Sequence, residues 1–329
     1  MRALKGGRLF SDATDIESVP GKTSASPARP SHLWLALYLP RFALEVLGGP
    51  RAAAPPVAVI SGAVVAAADA NAARAGVHAG LSASAACALV PNLVLAPRDE
   101  AAEAAALEGL AAWAGQFTSF VSLVPPDGLL LEIGGSLALF GGLDALLERV
   151  RRAIDGLGYS ARFGVAPTPL GAWLLARAGW EKPVTAMHQL PARLAPVPLA
   201  FLDLPARIEQ DLRSVGIERF GDCVRLPRDG TARRTDPRLL ACLDRALGKR
   251  ADPRLPYTPP PIFERRLSLP GEIGDTETLL IAAERLLLEL SGYLQTRAGG
   301  VQTLEWHLAH RRGPATRLVL ELVAPSRDA

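Results

Sequence analysis

The sequence has few cysteines, and the positions of these cysteines exclude several classes of protein. Cys87, Cys223 and Cys242 are the only three in 329 residues, and they lie far apart. Their spacing fits neither a disulfide framework nor a CxxC metal site. We therefore expect reduced thiols and a cytoplasmic location. Cys223 and Cys242 have no histidine nearby in sequence, which favours core positions over a nucleophilic role.

Long hydrophobic runs are also missing. The longest apolar stretch, VAVISGAVVAAA at 57–68, is too short to span a bilayer, and the N-terminus lacks the apolar core of a signal peptide. No membrane partner is predicted. Residues 1–30 are rich in Ser, Pro, Gly and basic residues, so we expect a disordered tail there.

Lysine is scarce too: only four of the 36 basic residues are lysines, and the net charge is +3. The distribution of charge is more informative than its sum. Residues 35–134 contain four basic and eight acidic side chains, whereas residues 225–254 contain nine basic and four acidic ones. Positive charge is therefore concentrated in the C-terminal half.

With 49% hydrophobic residues, the chain can form two or three compact units. Residues 31–187 read as strand, helix, strand pair, helix, strand and helix, with a small insert at about 46–97. This order predicts an antiparallel sheet with helices on one face. Residues 188–252 are helical, and the segment 199–225 predicts a helix, a turn at Gly216, and a second helix with Gly221 near the next turn. A proline-rich linker at 253–261 leads to a β-α-β-β series at 262–329, whose first strand is IFERRLSL.

This order of blocks resembles the Y-family (UmuC/DinB-like) DNA polymerases, and in particular the catalytically inactive UmuC-like members of bacterial damage-induced mutagenesis cassettes. The resemblance rests on LWLALYLPRFALEVL, AARAGVHAGLSASAACALVPNL, VPPDGLLLEIGG, FGVAPTPLGAWLLAR and RLLACLDRALGKRADPRLPYTPPPIFERRLSLP. It implies an α+β right-hand fold. Residues 31–187 would be a ferredoxin-like palm with inserted fingers, 188–252 a helix-hairpin-helix thumb, and 262–329 a partial little finger. Ala329 falls where the resemblance predicts a further helix and strand.

The resemblance also implies a test of catalysis. Y-family polymerases hold two Mg²⁺ ions with three carboxylates, since both the attacking and the leaving oxygen carry charge. At the first of these positions this chain aligns Ala36, with Tyr38 two residues on. Asp127 matches the second, and Gly128 replaces the third. Glu132 matches a further family acid, but strand geometry places it away from Asp127. Asp127 is therefore interpreted as a turn residue and a remnant, and no metal site is predicted.

The nucleotide contacts are replaced as well. Where the family has a Ser-Tyr-Glu-Ala-Arg stretch, this chain aligns DANAA, with Ala70 at the tyrosine and Ala73 at the arginine. Arg74 is adjacent and is the one side chain that could compensate. The family's palm lysine aligns with Trp173. The loss of these contacts predicts that no catalytic residue remains functional.

DNA binding is predicted for the basic thumb region. The hairpin turn reads Leu204-Pro205-Ala206 in place of Gly-x-Gly, which leaves phosphate binding and simple packing both open. The predicted DNA-binding side chains are Arg225, Arg228, Arg233, Arg234, Arg238, Lys249 and Arg250, in a stretch that also contains Arg245 and Arg254. Counterion release would make their binding to DNA strongly dependent on salt.

The remaining motifs give weaker evidence about function. His307 and His310 point to opposite faces of a strand, so no metal site is expected there. The tryptophans are interpreted as core residues. HQLPARL at 188–194 is a weak candidate for a peptide that binds a sliding clamp.

These observations predict a non-catalytic adaptor in damage-induced translesion synthesis that binds primer-template DNA and needs no cofactor. The resemblance implies three protein partners: the sliding clamp, a RecA-like accessory protein and an error-prone replicative-type polymerase. Two alternatives stay open. One is a residual polymerase that uses Asp127 and Mg²⁺, and the other is a protein-docking scaffold without DNA binding.

Overall fold

The computed structural model describes residues 32–47, 55–226, 237–267, 274–310 and 312–327. The predicted tail at 1–30 lies outside these residues, as do Arg228, Arg233 and Arg234. None of the helices within the described ranges is long and apolar enough to cross a membrane.

A four-stranded antiparallel sheet forms the centre of the molecule. Its strands are β1 (Trp34–Tyr38), β5 (Val121–Val124), β6 (Gly128–Glu132) and β7 (Arg162–Ala166), in the order β5-β6-β1-β7. One face packs against α1 (Phe42–Val46), α4 (Glu100–Ala114) and α6 (Leu143–Gly156), and a short helix α5 (Leu137–Phe140) precedes α6. Odd-numbered leucines of β1 and β6 fill this core, as expected from the two-residue period of a strand.

Helices cover the second face of the sheet as well, which corrects the predicted one-sided arrangement. Helix α7 (Pro169–Ala178) packs on β1 and β7. Gly164 permits this close approach, because a β-carbon there would lie 2.1 Å from the carbonyl oxygen of Ala172. Ala36, Leu130 and Ala166 face α7 from the sheet. The sequence pattern did not predict that the small side chains of Ala36 and Ala166 would form a surface for helix packing.

The insert after α1 contains a three-stranded sheet and two short helices. Strands β2 (Val57–Ser61) and β3 (Val64–Ala68) form a hairpin, and β4 (Val94–Pro97) pairs in parallel with β2. Helices α2 (Ala70–Arg74) and α3 (Ala83–Leu89) are separated by Gly76 and Gly80, which both have positive φ. The carboxylate of Asp69 and the hydroxyl of Ser82 cap the two helices.

The next unit contains α8 (Leu190–Leu194), α9 (Ala206–Ser214), α10 (Phe220–Arg225) and α11 (Pro237–Ala246), with 3₁₀ turns at Met187–Gln189 and Leu199–Leu202. Its apolar side chains share one core with α7. Gly216 ends α9 with φ +79°, as predicted. The expectation for Gly221 was wrong: this residue lies inside α10, where it packs against the backbone of Ala195.

The C-terminal unit consists of α12 (Thr276–Thr296) and an antiparallel hairpin of β8 (Val301–Leu308) and β9 (Thr316–Ser326). Residues 262–267 form no strand, so the first strand of the predicted series is not seen in the described part of IFERRLSL. Arg265 from this segment packs instead against Gly109 of α4. The domain boundaries inferred from the sequence stay predictions.

Candidate functional site

Asp127 lies in the turn that connects β5 to β6. Its carbonyl oxygen accepts a hydrogen bond from the amide of Leu39 at 2.9 Å, which ties this turn to the end of β1. Burial raises the pKa of the Asp127 carboxyl, and the nearby Arg177 and Arg98 oppose this shift. Asp203 is a second carboxylate close enough to raise the same pKa. The site is therefore a partly buried acid that has two arginines and one further carboxylate nearby.

The side chain of Trp173 occupies the space next to Asp127. A β-carbon added at Gly128 would lie 2.2 Å from Cζ3 and 2.3 Å from Cη2 of Trp173. The indole is only 6% exposed, and the ring of Tyr38 packs edge-on against it with centroids 5.6 Å apart. Gly128 pairs with Tyr38 across the sheet, two residues along β1 from the fully buried Ala36. The structure thus brings Ala36, Tyr38, Gly128 and Trp173 together around a filled, largely apolar volume.

This arrangement does not fit a two-magnesium centre. Magnesium requires oxygen ligands in nearly octahedral geometry. The indole of Trp173 and the positions of Gly128 and Ala36 supply no side-chain oxygen. Within the described residues, no three His, Cys, Asp or Glu side chains meet as a possible metal site.

Glu132 has a different role at the other end of β6. One of its carboxylate oxygens accepts hydrogen bonds from the amides of Leu33 at 3.2 Å and Gly134 at 3.1 Å. The rise of a β-strand places Glu132 about 13 Å along β6 from Gly128. Glu132 therefore stabilises the chain around the end of β6 that is farthest from Asp127.

In the inserted unit, Ala70 and Ala73 are exposed on α2 and offer only methyl groups. The guanidinium of Arg74 folds back on the same helix, where it donates to the carbonyl oxygen of Ala70 and the side chain of Asn71. Arg74 thus has intrahelical partners, and its side chain does not extend from α2 as a compensating cation would.

Helix α7 is connected to the helical unit of α8–α11, which we call the thumb, by an ion pair that no sequence pattern predicted. Arg177 at the end of α7 donates to Asp203 Oδ2 at 2.6 Å and to the carbonyl oxygen of Phe201 at 3.0 Å. Its guanidinium also stacks 5.1 Å from the centroid of the Phe201 ring. Asp203 has φ +48°, an uncommon value for a residue other than glycine. No local pattern predicts this pair, since its members are 26 residues apart.

The thumb contains an open cavity of about 340 Å³ beside the hairpin turn. The turn residues Leu204 and Pro205 form one wall, and Arg238 and Arg245 from α11 form another. Seven positions along α11 separate these arginines, which places them on the same face of the helix. Asp203 also lines the cavity, but its carboxylate pairs with Arg177, so the two guanidinium groups next to the turn favour an anionic ligand.

The predicted DNA-binding residues divide into three groups. Arg225 is exposed and lies 3.6 Å from Asp222, while Lys249 and Arg250 are exposed directly after α11. Arg254, from the same basic stretch, forms a 2.6 Å ion pair with Asp252 in which both side chains are mostly buried. Arg254, which is not one of the predicted DNA-binding residues, is therefore structural. Of the predicted residues, Arg238 lines the cavity, and Arg228, Arg233 and Arg234 lie outside the described ranges.

HQLPARL is folded into the thumb. Leu190 and Leu194 are fully buried, because this segment forms a 3₁₀ turn followed by α8. A peptide that binds a clamp must present its apolar side chains, so the structure argues against this segment as such a peptide.

The remaining histidines and cysteines have ordinary roles. His307 pairs with Glu305 at 2.7 Å, and His310 with the hydroxyl of Thr316 at 2.8 Å. Burial raises the pKa of Cys223 and Cys242 to about 11, so both thiols stay protonated at neutral pH.

Comparison with known proteins identifies the fold. Residues 39–177 match the impB/mucB/samB family. The chain carries a UmuC/DinB-type Y-family domain. It is 32% identical to "Protein ImuB" of Caulobacter vibrioides over 254 residues, which is 77% of this chain and 56% of that protein. It is 28% identical to "DNA polymerase IV" of Dehalococcoides mccartyi over 169 residues, which is 50% of this chain and 43% of the relative. The chain thus spans about half the length of the curated relatives it matches.

Solved structures agree with this Y-family assignment. "DinB from Sulfolobus solfataricus" superimposes with a TM-score of 0.52 at 18% identity, over 68% of this chain and 69% of that chain. At this identity the likeness concerns the fold. The α+β right-hand fold implied by the resemblance is therefore confirmed.

Proposed function

We propose that this chain is a non-catalytic Y-family homologue that binds primer-template DNA and acts as an adaptor in damage-induced translesion synthesis and DNA repair. The observation that carries the proposal is the contact between Trp173 and Gly128. The indole fills the volume into which a carboxylate at position 128 would project. The resemblance places two family metal-ligand positions at Ala36 and Gly128, and the close packing of an apolar side chain there supports a non-catalytic role.

DNA binding is supported by the positive thumb surface and by the fold. Lys249 and Arg250 are exposed, and Arg238 and Arg245 face the cavity at the hairpin turn. Solved complexes with similar folds include "Insertion ternary complex of Dbh DNA polymerase". Arginine and lysine contacts with phosphate groups would supply affinity without sequence preference.

The partners implied by the resemblance to ImuB belong to this proposal as well: a sliding clamp, a RecA-like accessory protein and an error-prone replicative-type polymerase. In this role the chain positions DNA for another enzyme and needs no cofactor of its own.

One observation favours a second function, a residual polymerase. Asp127 keeps the position of one metal ligand, and it has Arg98 and Arg177 close by. Mg²⁺ would be needed only for this activity.

Primer extension with Mg²⁺ or Mn²⁺ tests the two functions, with the Dehalococcoides polymerase as positive control. The assay is run at protein concentrations where fluorescence anisotropy shows bound primer-template. The adaptor predicts full binding and no extension. Extension that is lost in Asp127→Asn, while binding persists, would establish the polymerase instead.

The DNA-binding part has its own test. Lys249→Ala combined with Arg250→Ala should weaken binding and reduce the slope of log K against log salt by about 1.8, since each lost phosphate contact contributes about 0.9. The matched control is Arg149→Ala combined with Arg152→Ala, which removes the same charge from exposed positions of α6. Equal effects of the two double variants would refute a specific thumb contact. Absence of any binding by the unaltered chain would favour the scaffold without DNA binding.

A further inference from the structure

The open space of about 340 Å³ between the hairpin turn and α11, which we call the thumb cavity, has mainly aliphatic walls. Leu202, Leu204 and Pro205 line it from the turn, and Cys242 lines it from α11. Leu202 and Cys242 are buried, and the thiol of Cys242 is uncharged at neutral pH because burial raises its pKa to about 11. Ligand cavities measure about 300–1,000 Å³, so this one has room for a small group or a side chain.

Two arginines line the same cavity at separate points. Arg238, Cys242 and Arg245 follow each other at intervals of four and three residues, which places all three on one face of α11. Seven residues of helix separate the two arginine positions by about 10 Å along the axis. Nε of Arg245 is shielded from solvent, and no atom of the described residues accepts a hydrogen bond from it. The cavity thus presents two cationic side chains with an apolar stretch between them.

One carboxylate, that of Asp203, also lines the thumb cavity. Its Oδ2 lies 2.6 Å from the guanidinium of Arg177, which balances its charge. Lys249 and Arg250 are exposed directly after α11 and add positive charge to the same part of the thumb. The cavity therefore has a positive surrounding, which attracts acidic ligands and repels basic ones.

A nucleic-acid group matches the inside of this cavity poorly. A backbone phosphate at a hairpin turn is held by main-chain amides, but Pro205 has no amide hydrogen, and the side chains of Leu204 and Pro205 hinder close approach. An unpaired base stacks on an aromatic ring, and no aromatic side chain is among the described residues that line the cavity. An aliphatic side chain fits these walls, and carboxylates beside it fit the two arginines.

We propose that the thumb cavity is a docking site for a protein partner, and that it binds a peptide segment in which one aliphatic side chain is flanked by acidic residues. The aliphatic side chain enters between Leu204 and Cys242, and the acidic residues pair with Arg238 and Arg245. This inference goes beyond the proposed DNA binding and does not depend on it, since the exposed Lys249 and Arg250 are not among the residues that line the cavity. A chain built in this way holds a partner and DNA through separate parts of the thumb.

Three matched peptides test the chemistry of the site in fluorescence anisotropy with the full chain. The probe is Asp-Asp-Leu-Asp-Asp with fluorescein at its N-terminus and an amide at its C-terminus. Asn-Asn-Leu-Asn-Asn removes the charge, and Asp-Asp-Ser-Asp-Asp removes the aliphatic side chain. Each of these two should bind at least about tenfold more weakly than the probe. Equal affinity of either control peptide, or no binding of the probe at about 1 mM, would overturn the inference.

Variants of the chain locate the site. Arg245→Gln should weaken binding of the probe at least about tenfold, because it removes a charge-assisted hydrogen bond. Arg238→Gln changes an exposed residue and tests the second cation at a position where folding is not affected. The matched control is Arg152→Gln, which removes an exposed arginine from α6 and should leave the affinity for the probe unchanged. Circular dichroism verifies that each variant is folded.

Primer-template anisotropy on the same proteins separates this inference from the proposed function. Arg245→Gln should change DNA affinity no more than Arg152→Gln does. If Arg238→Gln and Arg245→Gln weaken DNA binding and leave binding of the probe intact, the cavity is a phosphate site and the inference is wrong. If the unaltered chain binds the probe but no DNA, the proposed DNA binding fails and the docking site stands.

Discussion

The packing of Trp173 over Gly128 gives a prediction that can be worked out in energy. In Gly128→Ala, the added methyl group would lie 2.2 Å from the indole on one side and 3.2 Å from the carbonyl oxygen of Leu37 on the other. The indole cannot move aside easily, because it is almost fully buried and Tyr38 packs against it. Ordinary carbon contacts are about 3.5–4.0 Å, so the overlap exceeds 1 Å.

Overpacking of a well-filled core costs about 1–3 kcal/mol, and we expect Gly128→Ala to lie near the upper limit. Trp173→Ala should cost about 3–5 kcal/mol through the cavity that it leaves. In the double variant the methyl group enters that cavity, so the two costs should not add. The combined loss should be smaller than the sum by about 1–3 kcal/mol, the coupling expected of residues in direct contact.

Urea unfolding followed by circular dichroism measures all three variants. The matched control is Gly135→Ala, since a β-carbon at Gly135 has no atom within 4 Å. It should change stability by no more than about 0.5 kcal/mol. The reasoning is refuted if Gly128→Ala costs no more than Gly135→Ala, or if the double variant shows no coupling. Confirmation would mean that a carboxylate at position 128 requires replacement of Trp173 as well.

Three further predictions concern charge and burial. Burial raises the pKa of the Asp127 carboxyl, so its ionisation costs folding stability as pH rises through the raised pKa. Asp127→Asn should therefore raise Tm at pH 8 and leave Tm unchanged near pH 3. A lower Tm of the variant at pH 8, measured by differential scanning fluorimetry, would contradict this. Arg98→Ala removes both hydrogen bonds to the buried Glu103 and should lower the free energy of unfolding in urea by about 3 kcal/mol. The control Arg152→Ala, at an exposed ion pair, should lower it by under about 0.5 kcal/mol. Similar losses in the two variants would count against a buried ion pair. Titration with a thiol reagent should modify only Cys87 in the native chain and all three cysteines in urea, and fast modification of either thumb cysteine would show that the thumb core is open.

The local elements and the family could be predicted from the amino-acid sequence. Apolar patterning predicted the order of strands and helices in residues 31–187 and the helical unit after them. Gly216 was predicted at the end of a helix, where its positive φ favours glycine. The segments that resemble Y-family polymerases occur in the same order along this chain. They predicted the palm, the fingers and the substitution of catalytic positions.

The structural effect of those substitutions depends on tertiary packing, which the sequence pattern does not show. Alignment placed Trp173 at a lysine position, but only packing showed that its indole fills the space at Gly128, 45 residues away. The same holds for Arg177 with Asp203, and for Glu289 with Arg265 beneath α4. A sequence pattern specifies which face of an element is apolar, whereas the partner that meets this face depends on how all the layers pack together.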